Sequence, residues 1–147
     1  MELLYYPNEE TWNNRASWIE DQIEQSIKGS YIVSDQATGL FIDLQACFCI
    51  GAWLSVVILS VSVIDAQLRE TEAMNNNLGT AKLLNDYYLG EDDINWLRRL
   101  RNKYVHMQVN IPALEVDVQY NNRTALEYDA TRAIKMAIDA FFQSAGT

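Results

Sequence analysis

The stretch ACFCIGAWLSVVILSVSVI, running from Ala46 to Ile64, is nineteen residues without a charge. Its length approaches the roughly 20 residues with which an α-helix crosses a bilayer. The competing reading is a central helix buried on all sides by its own bundle or by a partner chain. Three features favour the buried helix. The run is edged by Asp43 and Asp65, and the nearest basic residues are Lys28 and Arg69, so no positive flank sets an orientation in a membrane. Ser55, Ser60 and Ser62 dilute the apolarity. No belt of aromatic residues marks the two ends. The expectation is a domain without a membrane segment, organised around this helix.

Composition agrees with that picture. At 147 residues, 49% hydrophobic and 21% charged, the chain has the size and make-up of one globular domain, residues 1–147. Two Pro and six Gly leave little material for a turn-rich β fold. Eleven Lys and Arg against twenty Asp and Glu give a net charge of −9, which excludes a broad basic surface that grips nucleic acid by charge alone but leaves room for a small local basic site. Cys47 and Cys49 sit two apart inside the apolar run, a pattern of neither a disulfide framework nor a zinc site. With no secretory signal pattern at the N-terminus, a reducing, cytoplasmic setting is expected, and Asn122-Arg123-Thr124 reads as a polar loop rather than a glycosylation site.

Outward from the apolar run, periodicity predicts helices. Over residues 8–28, Ile19, Ile23 and Ile27 recur every four residues and Trp12 and Ala16 extend the stripe, with Gly29-Ser30 as its end. The apolar run belongs to one long helix over about 37–73, with Gly39 or Gly51 as the place of a bend. A short helix follows over 80–89, with Gly90 at its C′ position. The next begins at Glu91-Asp92-Asp93, acids that suit a helix N-terminus, and carries Ile94, Leu97, Leu100, Tyr104 and Met107 on one face. It frays between His106 and Pro112. Residues 111–120 alternate in part and read as an extended connection or small hairpin. Thr124 is expected to cap a last helix, 125–143, with Ala130, Ala133, Ile134, Ala137, Ile138 and Phe141 on one face. The predicted class is all-α, an up-down bundle of four to five helices.

Chemistry-bearing residues gather in one place. Arg98, Arg99, Arg101, Lys103 and His106 fall within nine positions, and His106 is the chain's single histidine. The plain alternative is a solvated charged face. Arg98, Asn102 and His106 recur at i, i+4 and i+8 and form one polar ridge, whereas Arg101 sits about 140° around from His106 on an ideal helix. For both to reach one phosphate, the helix must end or distort near His106. No phosphate-cradling Gly loop is present, one His with no clustered carboxylates offers no metal centre, and no cofactor is implied. Asp65 and Glu70, which close the long helix, are candidates to support the site or to pair with the basic cluster; the plain alternative is surface acids at a helix end.

The string Arg101-Asn102-x-x-x-His106 resembles the R-x4-6-H signature of HEPN domains (higher eukaryotes and prokaryotes nucleotide-binding). Two longer runs carry the resemblance further. GAWLSVVILSVSVIDAQLRE, residues 51–70, is similar to the long apolar helix of those domains, with Asp65 where Glu is more usual, and INWLRRLRN, residues 94–102, is similar to their motif helix. The likeness covers about residues 40–107. It implies an all-α bundle that pairs into a homodimer, with the motifs of two protomers meeting in a cleft that often cleaves RNA without metal. It also implies a place in toxin–antitoxin or antiviral defence systems, with an antitoxin or other defence protein as partner, although some members only bind. The Tyr that follows the His by two in one toxin subgroup is Gln108 here.

The residues suit that chemistry. Cleavage through the 2′-OH needs a base, an acid and cationic donors for the crowded phosphate. Histidine titrates in the right range for either proton role, and Arg presents a planar fork of donors to phosphate oxygens. One His is not base and acid at once, but a twofold dimer supplies a second. The expected roles are Arg101 on the scissile phosphate, His106 moving protons, Asn102 orienting, Arg98 and Lys103 holding RNA, and Asp65 supporting. The competing expectation, drawn from the acidic net charge, is a non-catalytic module that binds a nucleotide or a protein.

Overall fold

The computed structural model describes residues 6–73, 77–106 and 122–145. Among these residues there are six α-helices and no strand: α1 (Glu9–Ser26), α2 (Asp35–Ile50), α3 (Trp53–Thr71), α4 (Thr80–Tyr87), α5 (Ile94–Val105) and α6 (Arg123–Phe141). The all-α class stands. An isolated bridge between Tyr31 and Ala145 is the one β-type pairing among them.

The helix count exceeds the expected four or five because the long helix is two. Gly51 takes φ 84° and ψ 24°, the left-handed region that ends helices, and its N–H bonds back to the carbonyls of Cys47 and Phe48. The chain reverses there, and α3 starts two residues later. Gly39 lies inside α2, which runs on past it. Two arginines from other helices bind the carbonyls at this elbow. Arg15 Nη1 donates to the Cys49 carbonyl at 3.1 Å and Arg123 Nη2 to the Gly51 carbonyl at 2.6 Å, serving groups that a helix C-terminus leaves unpaired.

Local signals set the other helix ends. Asn8, Ser34 and Asp93 accept from the N–H of Thr11, Ala37 and Asn95 respectively, as N-caps do. Three expected ends are corrected. Helix α4 stops at Tyr87 with Tyr88 as its C-cap, and Gly90 keeps a negative φ instead of serving as a left-handed terminator. Helix α6 begins at Arg123 after Asn122, so Arg123 and Thr124 form its first turn and Thr124 caps nothing. Asp92 does not cap α5 but pairs with Arg132, whose guanidinium lies 3.7 Å above the Trp96 ring and ties α5 to α6. Met107 and the extended connection expected over 111–120 lie outside the described residues.

Helix α3 is the axis of the core and packs mainly on α2 and α6. Val56, Val57, Val61, Val63, Ile64 and Leu68 of α3 are buried, as are all six residues of the predicted α6 stripe. No helix among the described residues is long and apolar enough to cross a membrane. Gln67 is fully buried in this axis. It is satisfied by the loop before α2, accepting from Ser34 N–H at 3.0 Å and donating to the Ile32 carbonyl at 2.7 Å, which removes the cost of burying an amide.

Two stability measurements check this account. Gly51→Ala forces a side chain into the left-handed region and lowers unfolding free energy in urea by about 1–2 kcal/mol; an unchanged midpoint would contradict the elbow geometry. Gln67→Leu strands the buried Ser34 N–H and removes the donor to the partly exposed Ile32 carbonyl, and costs about 1–3 kcal/mol in the same measurement.

Candidate nucleotide-binding groove

The α2–α3 reversal lays the start of α2 beside the end of α3. Helix α5 and the first residue of α4 close the remaining sides. The result is a groove of about 360 Å³, with Gln36 and Leu40 from α2, Thr80 from α4 and Arg101 from α5 around Val61, Ser62, Asp65, Ala66, Arg69 and Glu70 of α3.

Asp65 organises its polar end. Arg69 Nε and Nη2 donate to the two carboxylate oxygens at 3.0 and 3.1 Å, and Thr80 Oγ1 donates at 2.7 Å. The same Arg69 donates through Nη1 to the Leu78 carbonyl at 2.6 Å, which clips the start of α4 to α3. Burial disfavours the charged form of Asp65, but the bonds from Arg69 and Thr80 and the positive fields of Arg69 and Arg101 outweigh it and hold the carboxyl below its usual range.

Helix α5 displays the basic cluster on two sides. Arg101 points into the groove with Asp65; Arg99, Lys103 and His106 are exposed. The helix ends at Val105, and His106 follows with φ −116° and ψ 114°, its N–H bonded to the Asn102 carbonyl at 2.9 Å. The helix therefore stops where a joint reach of Arg101 and His106 to one phosphate requires it to stop. Arg101 and Asp65 share the groove, while His106 stands outside its lining and Asn102 is half-buried.

The arginines differ in how they are used. Arg15, Arg69, Arg99, Arg123 and Arg132 each bond or pair with a carboxylate or carbonyl. Arg98 and Arg101, one turn apart on α5, have buried Nε atoms without a hydrogen-bond partner among the described residues. A buried donor left unpaired is costly, and this chain carries twenty carboxylates.

The Tyr104 phenol of α5 and the two thiols of α2 are poorly suited to proton transfer at neutral pH. Burial, with Asp129 nearby, pushes the Tyr104 phenol up to about 12. Burial also raises the Asp129 carboxyl, against the fields of Arg132 and Lys103. Cys49 is buried and Cys47 half-buried, and desolvation raises both thiols, away from nucleophilic reactivity. Among the described residues no three His, Cys, Asp or Glu are grouped to hold a metal ion.

Sequence reasoning did not single out Arg69, Thr80 or Gln36 as groove residues. The i,i+4 spacing of Asp65 and Arg69 was a readable signal for their pairing; Thr80 and Gln36 arrive by tertiary packing alone. Comparison with known proteins finds no match to this chain among family models, curated proteins or solved structures.

The Asp65 network has a pH signature. A carboxyl held below its unfolded value of about 3.9 contributes stability that is complete above that value and is lost as pH falls through the lower folded one. Asp65→Asn is therefore less stable than the parent at neutral pH, and the gap narrows below about pH 4 in urea unfolding. A gap independent of pH would refute the assignment.

Proposed function

We propose that this domain is a HEPN-like, metal-independent endoribonuclease that acts as a homodimer in the cytoplasm, in the manner of the toxin of a toxin–antitoxin pair or of an antiviral defence protein. The observation that carries this reading is the pair Arg98 and Arg101. In a chain of net charge −9, two arginines one turn apart keep buried Nε atoms without a hydrogen-bond partner among the described residues, although carboxylates to satisfy them are abundant. Neither guanidinium makes a hydrogen bond among the described residues, and the Nη groups, beyond the buried Nε, suit an external anion such as phosphate.

In the proposed reaction Arg101 holds the scissile phosphate, with Arg98 and Lys103 on the flanking backbone and Asn102 orienting. His106 of one protomer takes the 2′-OH proton as the 2′-oxygen bonds to phosphorus. As the P–O5′ bond breaks, the imidazolium of the second protomer's copy of the same histidine protonates the leaving 5′-oxygen. The products are a 2′,3′-cyclic phosphate and a 5′-hydroxyl. The ending of α5 at His106 supports this arrangement, because it frees the imidazole from the helical direction that separates it from Arg101. Asp65 supports the site by drawing Arg101 into the groove.

A second reading, a non-catalytic nucleotide- or protein-binding module, is favoured by one observation: Arg101 faces Asp65 inside the groove while His106 stands exposed outside it. Cleavage separates the two. Incubated with RNA in EDTA, the dimer is expected to cut, and His106→Ala and Arg101→Ala each lower the rate by about 100-fold or more with the dimer intact by light scattering. Cutting retained by both variants overturns the assignment of these residues, and no cutting by the parent protein selects the binding module.

A further inference from the structure

We infer that the groove beside Arg101 is a nucleobase subsite, selective for a base that carries an exocyclic amino group. The inference rests on the reading of α5 as a phosphate-binding helix and adds what lies next to the phosphate. At about 360 Å³ the groove falls within the range of small-ligand sites. Leu40, Val61 and Ala66 give it apolar walls, and a base has apolar faces and a polar edge. A nucleotide whose phosphate rests on Arg101 extends its base along this groove.

The polar edge meets a defined set of groups. The Asp65 carboxylate is already engaged by Arg69 and Thr80 and is not free to read a base. Glu70 and Gln36 are exposed at the rim and make no hydrogen bond or ion pair among the described residues. An ionised Glu only accepts, so it requires N–H donors from its ligand. Adenine, cytosine and guanine supply them from an amino group. Uracil flanks its single ring N–H with two carbonyl oxygens, and these meet the carboxylate lone pair to lone pair. Gln36 offers one donor and one acceptor side, which suits the ring nitrogen or carbonyl adjacent to such an amine. Glu70 thus sets base preference, and Arg101 sets affinity for every base.

Equilibrium binding to the full chain of four homotetranucleotides with 2′-O-methyl riboses, which are not cleaved, tests this. The adenine, cytosine and guanine forms are expected to bind about tenfold tighter than the uracil form. Glu70→Gln, whose amide can donate to a uracil carbonyl, compresses that ratio to about twofold; Arg101→Ala weakens all four alike and leaves the ratio in place. If Glu70→Gln fails to fold by thermal unfolding, Gln36→Ala serves as the second variant and also narrows the ratio. Equal affinity for all four forms in the parent protein overturns the inference, as does an unchanged ratio in a folded rim variant. Base preference without RNA cleavage leaves the subsite standing and removes only the nuclease; cleavage without base preference removes only the subsite.

Discussion

The structure depends on the left-handed turn at Gly51. A helix carried straight through that position would hold the start of α2 and the end of α3 at opposite tips of one rod. The reversal turns the apolar run into a hairpin, so that Gln36 and Leu40 come to lie beside Asp65 and Arg69. The groove is a product of that turn. Its carbonyls are bound from outside by Arg15 of α1 and Arg123 of α6, so the first and last helices are held to the same point. Arg15 also lies 4.7 Å over the Trp53 ring, at the first residue of α3. The elbow is thus both a conformational requirement of one glycine and the meeting place of four helices.

Around that scaffold, charge is distributed by use. Arg69 is spent on Asp65 and the loop into α4, and Arg132 on Asp92 and Trp96. Both pairs are partly buried, and the Arg69 bond to the Leu78 carbonyl and the Arg132–Asp92 pair each join separate elements, which distinguishes them from exposed pairs within one helix such as Lys82 with Asp86 that contribute little. The Asp92–Arg132–Trp96 stack anchors the first turn of α5 to α6, and the Asp65 clip fixes the start of α4 against α3. Between these anchors, α5 presents Arg98 and Arg101 with no internal bond to satisfy their Nε atoms. Both arginines lie on α5, the helix whose first turn the Asp92–Arg132–Trp96 stack holds to α6.

Much of this was legible in the chain. The α6 stripe from Ala130 to Phe141 is helical in period and is wholly buried. The charged edges of the apolar run argued against a membrane span. The break at Gly51 was readable only as a bend, because a glycine inside an apolar helix has the same local signature whether the backbone curves or reverses. Buried Gln67 gave no signal, since its partners are backbone atoms of a loop more than thirty residues away. The cluster around Arg101 was visible as composition, and Asp65 as an acid ending an apolar run. Their shared groove was not visible, because it is assembled from α2, α3, α4 and α5, and no spacing along one helix encodes that meeting.

The contrast between an acidic chain and a few unpaired arginines shapes how a polyanion meets this molecule. At long range a net charge of −9 repels it, and attraction begins only within about a Debye length of α5, roughly 8 Å at physiological ionic strength. If RNA binds there as proposed, few phosphates are neutralised and few counterions released, and affinity falls only gently as salt is added. Screening weakens the repulsion at the same time and eases the encounter. Under the proposed function, a nucleic-acid ligand is selected by what fits at close contact, with little of the indiscriminate adhesion that a basic surface brings.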